Sequence, residues 1–403
     1  MTMRTFTARQ LIVDARRVFY GGGVVVDGEG RVAAILESVD EVRRGASGEV
    51  CDLGEGVLAP GWVDAHAHLE LTGLEGRVEP GEVFPDWIKA LLKERADLED
   101  ADFDAAVRSG ADRLLGGGTT TVGDVDSSGA GARVLAHHPL RAVVLREALD
   151  VGDAERVVET MATLRTPLEE GAGVTEGLSP HAGYTVSDAL LRELGRFAGP
   201  RRIPVQVHWN ETEEEARWER SSPSDFDGLV PESSGSPTLA RLDAAGLLRA
   251  PVSLVHANHP AEGDAQLLYE RGVVVVHCPG AHAWFDRDPF DLRGWSGAGV
   301  EVALGTDSLA GNASLDMGRE VALFREAHPD VSPADIFEMA TRTPARALGL
   351  DGQVGALCVG AYADLVLHTG EGDAFEALTC GESTVERVWV GGAEVLLGAE
   401  RAL

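Results

Sequence analysis

The sequence predicts an α/β protein: a (β/α)₈ barrel of the TIM type, with a small β-sandwich domain formed from both chain termini. Three observations point there. Eight short apolar, β-branched runs recur through the middle of the chain, each ending at a polar or ionisable residue. Helical patterns separate most of these runs. The two ends lack that alternation and carry short β patterns between Gly and Asp turn signals instead.

At the N-terminal end the β patterns are Leu11–Val13, Gly23–Val26 and Val32–Leu36. The eight runs of the middle follow. Gly61–Val63 leads into Asp64-Ala65-His66, Thr119–Val122 into Asp124, Ala142–Leu145 into Arg146-Glu147, and Gly177–Pro180 into His181. Ile203–Val207 leads into His208, Val252–Val255 into His256, Val273–Val276 into His277, and Val302–Leu304 into Asp307. Asp104–Leu115, Asp188–Phe197, Pro237–Ala245 and Ala261–Arg271 read as intervening helices. Continuous apolar strands alternating with helices imply a parallel sheet buried on both faces, and eight such units imply closure into a barrel. The stretch Ser221–Pro237, rich in Ser, Pro and Asp, is expected as a surface loop above the barrel mouth. At the C-terminal end Asp364–His368, Val385–Val390 and Glu394–Leu397 read as short strands. The expected domains are therefore residues 59–350 for the barrel, and 1–58 plus 351–403 for the composite sandwich. A chain of 403 residues suits that division, since one core seldom grows past about 250–300 residues.

Composition narrows the function. Hydrophobic residues at 44% and charged residues at 25% exclude disorder as the dominant state. A formal net charge of −31 argues against nucleic acid and anionic membrane surfaces as partners, because both would repel it. No run of about 18 apolar residues occurs, and Met1–Gln10 lacks the apolar core of a signal peptide. A reducing, cytoplasmic location is expected. Of Cys51, Cys278, Cys358 and Cys380, none forms a C-x-x-C pair, so zinc knuckles, thioredoxin-like sites and cytidine-deaminase-type zinc sites lack their ligands.

The chemistry of such barrels sits at the C-terminal ends of the strands, where the polar residues fall. In His66-Ala67-His68, alternate residues of a strand turn both imidazoles to one side. With His208 from the fifth strand and Asp307 from the eighth, they offer three nitrogens and one oxygen. That set suits one divalent ion per subunit, Zn²⁺ first and Fe²⁺ second, with a position open for water whose pKa the metal would lower. Glu211, three residues after His208, is a candidate to carry the water's proton. Its alternative role is a helix-start carboxylate. His256 is a candidate to orient the nucleophile or steady a developing oxyanion. Its alternative role is a core imidazole.

These segments carry a family resemblance. Ala59-Pro60-Gly61-Trp62-Val63-Asp64-Ala65-His66-Ala67-His68 resembles the first-strand signature of the amidohydrolase superfamily. Ser179-Pro180-His181-Ala182-Gly183-Tyr184-Thr185, His208-Trp209-Asn210-Glu211-Thr212, Leu254-Val255-His256-Ala257 and Gly305-Thr306-Asp307-Ser308 are similar to later motifs of its metal-dependent deaminase branch. The resemblance covers nearly the whole chain. It implies His66, His68, His208 and Asp307 as metal ligands, and Glu211, His256 and Asp307 as the groups that move protons and orient hydroxide. The only lysines, Lys89 and Lys93, lie after the first strand. The carboxylated lysine on strand four that bridges two metals in binuclear relatives is therefore not available, and a single-metal arrangement is expected.

The reaction implied is hydrolytic deamination of a purine-like amino-heterocycle or nucleoside with release of ammonia. Dechlorination or cyclic-amide hydrolysis is the alternative reaction. His181 matches a substrate-contacting histidine of the family. Arg146 could pair with a substrate carboxylate, while Trp87 and Trp209 could stack on a planar ring. His282 belongs to the loop His277-Cys278-Pro279-Gly280-Ala281-His282, which looks like a pocket-lining element of the family. That loop and Phe84-Pro85-Asp86-Trp87 point towards aminodeoxyfutalosine, with adenosine-like nucleosides such as methylthioadenosine beside it. Gly183 stands where the branch usually has proline, and Gly280-Ala281 lacks polar side chains often found there. Both departures bear on substrate identity and leave the metal chemistry alone. A homodimer is expected by analogy with relatives.

Overall fold

The computed structural model describes residues 3–168, 171, 173–222, 225–226, 228–249, 251–370 and 372–396. Pro223, Ser224 and Asp227 of the expected surface loop lie outside the described residues, as does Leu397 of the last expected strand. Eight parallel strands form one sheet in sequence order: β1 (Trp62–Ala67), β2 (Thr119–Asp126), β3 (Arg141–Ala148), β4 (Val174–Pro180), β5 (Val205–Trp209), β6 (Val252–His256), β7 (Val274–His277) and β8 (Val302–Leu304). Each of the eight expected runs carries one of them. β1 and β2 continue past their apolar residues into the polar ones. The ring is drawn shut by a parallel bridge between Ala67 and Asp307.

Side-chain parity along a strand fixes what each residue meets. On β3, Ala142 and Val144 face outwards and pack with Val107, Ala111 and Leu114 of the helix Asp100–Gly116. Val143 and Leu145 face inwards and gather with Val63, Val125 and Leu348. On β5, Val205, Val207 and Trp209 face outwards against Leu190, Leu194, Leu242 and Trp295.

The chain ends build two further sheets. Val32–Leu36, Gly23–Val26, Arg4–Thr7 and Glu49–Asp52 form a four-stranded one. In the six-stranded sheet, Val57–Pro60 lies between Gln10–Asp14 from one end and Leu365–His368 from the other. Phe6, Leu11, Val24, Leu58, Leu365 and Trp389 share one apolar core, so either end alone would leave it half-filled. The chain passes from sheet to barrel at Gly61, where a Cβ would come within 2.2 Å of Thr120 Oγ1. No described helix is long and apolar enough to cross a membrane.

A buried ion pair joins barrel and sandwich. Arg141, at the start of β3, places Nε and Nη2 at 3.1 and 3.2 Å from the two carboxylate oxygens of Asp364. The guanidinium groups of Arg141 and Arg31 each lie 3.5 Å from the centre of the Tyr362 ring. Removing one member of a buried pair leaves the other charged and unpartnered, at a cost of about 3–5 kcal/mol. Asp364→Ala is expected to lose that much in urea unfolding, and a loss under about 1 kcal/mol would show that the pair does not join the two parts.

Candidate active site

The site forms where strand ends turn away from the barrel. Asn210, His256, Ala257 and Asp307 all take left-handed backbone angles, with φ of 47°, 74°, 51° and 63°. Such conformations cost roughly 1–3 kcal/mol each in non-glycine residues and persist where surrounding contacts enforce them. They lie just after β5, β6 and β8, and at the last residue of β6, where the side chains must leave strand parity to face the mouth.

Three imidazoles and a carboxylate converge there. His68 Nε2 and His208 Nε2 are 3.2 Å apart. Asp307 Oδ1 lies 3.7 Å from His66 Nε2 and 3.8 Å from His68 Nε2. Single nitrogens of His66, His68 and His208 all fall within 4.8 Å of one another, as do ligand atoms of His66, His256 and Asp307. His256 Nε2 stands 3.6 Å from Glu211 Oε2 and 3.9 Å from Asp307 Oδ2. The His181 ring centre is 5.2 Å from that of His208.

Second partners decide which nitrogen of each ring carries hydrogen. Gln206 Nε2 donates to the Ala65 carbonyl at 2.9 Å, which turns Oε1 towards His66 Nδ1 at 2.6 Å. His66 therefore carries its hydrogen on Nδ1, and its Nε2, buried without a hydrogen-bond partner, presents a lone pair. His208 Nδ1 donates to the His181 carbonyl at 2.9 Å, which leaves its Nε2 lone pair facing His68.

Burial sets the charge states. It drives His68 down to about 3, helped by the neighbouring His66, and it holds His208 and His256 well below the usual imidazole range. It would lower His66 too, but the Asp307 carboxylate outweighs it and the ring ends above its ordinary value. For Asp307 burial acts upwards, and the surrounding imidazoles overcome it to hold the carboxyl below the usual range. Glu211 is pushed up to about 7 by burial, against the opposing Arg287 cation. His181, with Nδ1 on Thr185 Oγ1 at 2.7 Å, falls to about 4 for the same reason.

Two expected substrate contacts, Arg146 and Trp209, turn away from the mouth, while two others, His282 and Trp87, have a ring nitrogen engaged by a backbone carbonyl. Arg146 shares the outward parity of Ala142 and Val144, so it cannot reach the mouth. Its Nη1 meets the Leu164 and Thr166 carbonyls at 2.9 Å and Glu176 at 3.0 Å, and its Nη2 meets the Thr163 carbonyl at 2.6 Å. It thereby caps the C-terminal end of the helix Ala154–Arg165. Trp209 faces outwards beside His208 for the same reason of parity, and its ring packs on Trp295. His282 donates from Nε2 to the Asp288 carbonyl at 2.7 Å, within its own loop. Trp87 stacks on Phe84 with centres 5.3 Å apart and donates to the Ala310 carbonyl at 3.1 Å, bracing the rim.

Three residues at the site escaped the sequence reading. Gln206 and Glu147 share the inward parity of their strands, and counting by two from His208 and Leu145 would have found them. Glu147 is pushed up to about 8 by burial and by the carboxylate of Glu70. Arg287, whose Nη2 lies 2.6 Å from Glu211 Oε1, sits in a loop with no periodic signal. A cavity of about 410 Å³ is lined by Arg287 together with Phe84, Thr212, Asn258, His259 and Phe285.

Comparison with known proteins gives four findings. The family model described as "Amidohydrolase family" matches residues 57–395. The aminodeoxyfutalosine deaminase of Deinococcus radiodurans is 31% identical over 349 residues, covering 81% of each chain. The 5-methylthioadenosine/S-adenosylhomocysteine deaminase of Halobacterium salinarum is 32% identical over 365 residues, covering 86% of this chain and 79% of its own. Among solved structures, an adenosine deaminase from Xanthomonas campestris with bound zinc superposes with a TM-score of 0.82 at 26% identity, over 97% of this chain and 92% of that one.

The outward placement of Arg146 is open to a direct check. Arg146→Met is expected to cost about 1.5–3 kcal/mol in chemical denaturation, because charge-assisted hydrogen bonds to a helix end are lost. Near-ultraviolet circular dichroism of the folded variant, which reports the packing of the mouth aromatics, is expected to match wild type. A changed spectrum would mean that Arg146 reaches the mouth after all.

Proposed function

The chain belongs to the amidohydrolase family, and from that membership we propose a mononuclear, metal-dependent deaminase of a purine-like nucleoside. It would replace the ring's amino group by a carbonyl and release ammonia. The observation that carries the proposal is the convergence of His66, His68, His208 and Asp307 beside Glu211 and His256.

The donor set fits a divalent cation. Two nitrogens bound at about 2.0–2.1 Å to one tetrahedral zinc stand roughly 3.3 Å apart, which is the separation of His68 Nε2 and His208 Nε2 within about 0.1 Å. The unpartnered Nε2 of His66 and the ionised Asp307 complete a set of three imidazoles and one carboxylate that favours zinc. A divalent cation held by these four residues would supply the Lewis acidity that makes water a competent nucleophile near neutral pH.

The chain's own groups handle the protons. Glu211 accepts one from the attacking water and delivers it to the ring nitrogen beside the carbon under attack. His256, kept neutral by burial, donates a hydrogen bond to the oxygen as charge gathers there. The water's second proton goes to the amino nitrogen, which departs as ammonia and leaves a ring carbonyl. His181, its Nδ1 tied to Thr185, turns its other nitrogen to the substrate. Both curated relatives bear names of deaminases whose substrates are nucleosides, which supports a nucleoside here, aminodeoxyfutalosine and 5-methylthioadenosine first among them.

The zinc-loaded protein, offered adenosine, 5-methylthioadenosine and aminodeoxyfutalosine, is expected to release ammonia with an ultraviolet shift from at least one. Release from none would overturn the proposal. Glu211→Gln is expected to retain zinc and lose about 10²–10⁴-fold in kcat; near-normal turnover would remove Glu211 from its role. Gln206→Leu frees His66 to turn and is expected to weaken zinc binding about 10–100-fold, read by competition with a chromogenic chelator. An unchanged affinity there would count against His66 as a ligand.

A further inference from the structure

We propose that Arg287 is a positioning residue that divides the work of the two Glu211 oxygens, holding Oε1 so that Oε2 alone is presented to the reacting atoms. The inference rests on the reading of Glu211 as the proton carrier. Arg287 Nη2 lies 2.6 Å from Glu211 Oε1, and Nη1 donates to the backbone carbonyl of the same residue. One planar guanidinium thus grips Glu211 at both its side chain and its main chain. The other oxygen, Oε2, faces His256 Nε2 at 3.6 Å. Asn258 Nδ2 donates to the Glu211 carbonyl at 2.9 Å, a second restraint on the same backbone unit.

Arg287 is itself held. Its side chain is 12% exposed, and its guanidinium carbon lies 4.7 Å from the Phe285 ring centre and 5.5 Å from that of Phe84. Trp87 packs on both rings. The rim aromatics therefore brace a cation, which in turn braces the carboxylate. A lysine, with one point of charge, cannot span the two acceptors at once.

The charged and titratable groups facing Glu211 are Arg287, His256, Asp307 and His66, with Glu215 accepting from the Glu211 amide at 2.9 Å. Burial opposes the ionised carboxylate, as does Asp307, whereas Arg287 and His66 favour it. Loss of Arg287 makes Glu211 easier to protonate. A base must be ionised to act, so the acid limb of the kcat/KM profile moves to higher pH.

The test pairs kinetics with stability in the zinc-loaded, full-length protein. Arg287→Gln is expected to lower kcat about 10–100-fold with little change in KM, and to move the acid limb upwards. Arg287→Lys is expected to restore the limb but only part of kcat. A full recovery by Lys, or an unmoved limb with wild-type kcat in Gln, overturns the proposal. Thermal unfolding of Arg287→Gln, Glu211→Gln and the double variant is read without any substrate. The double variant is expected to be more stable than the sum of the single losses predicts, and additive losses would show that Arg287 does not hold Glu211. If wild type releases no ammonia from any nucleoside, the deaminase reading fails, and this cycle still decides whether Arg287 grips Glu211.

Discussion

The seam where β8 meets β1 is the constraint on which the site depends. Asp307 can stand beside His66 and His68 only because the last strand is pulled hard against the first. Each residue of Gly305-Thr306-Asp307 has a separate part in this. At Gly305 a Cβ would lie 2.9 Å from the His66 amide nitrogen and 3.0 Å from its carbonyl oxygen, so only glycine allows the approach. Thr306 then fastens the seam, its amide and hydroxyl donating to the buried Asp64 carboxylate at 3.0 and 2.6 Å. The His66 carbonyl accepts from the Thr306 and Asp307 amides at 3.1 and 2.8 Å. Asp307 leaves the strand in a left-handed conformation and turns its carboxylate to the imidazoles. Strain at Asp307 is held by these four hydrogen bonds across the seam, which is how a strand end comes to present its carboxylate to the imidazoles.

Burial of the cluster has two consequences that pull against each other. It strips protons from His68, His208 and His256, which is the state a metal ligand needs. It also leaves His66 Nε2 without a partner, at a cost of about 1–3 kcal/mol for an unmet buried polar atom. A cation bound by these groups would meet that lone pair and stabilise the folded chain by mass action. Metal affinity and fold stability are then two readings of one equilibrium. The lower end of the barrel is secured separately, through Arg141, Asp364 and Tyr362, so the mouth can carry strained backbone and unmet polar atoms without loosening the whole.

The barrel and the cluster were both legible in the sequence because each follows a short period. β-branched runs ending in His or Asp mark strands and their C-terminal tips, and His66-Ala67-His68 announces a shared face. The same period separates the residues at the strand ends. Arg146 and Trp209 lie at such ends but one residue from the inward register, so they turn away from the mouth. Glu147 and Gln206 hold that register. Arg287 could not be reached by such counting. It lies in a loop held by the bond from His282 to the Asp288 carbonyl and by ring contacts with Phe285 and Phe84, and these follow from tertiary packing alone.

The two departures from the family pattern have packing causes, and this shifts where specificity must reside. At Gly183 a Cβ would meet Thr238 Oγ1 at 2.1 Å, and the Gly183 carbonyl accepts from Arg241 at 2.8 Å. The glycine therefore serves the approach of the helix Thr238–Ala245. At Gly280 a Cβ would fall 2.3 Å from Glu320 Oε1 and 2.4 Å from Asn312 Oδ1, two groups that hydrogen-bond each other in the interior. A polar side chain there would displace buried partners before it reached a ligand. Both glycines thus answer to packing within this chain. The loops after β1 and β7 remain, and they meet at Phe84, Phe285 and Arg287, all three of which line the cavity at the rim. Arg287, which holds Glu211, is thus also part of the cavity wall, so any group bound in that cavity would lie against the residue that fixes the Glu211 carboxylate.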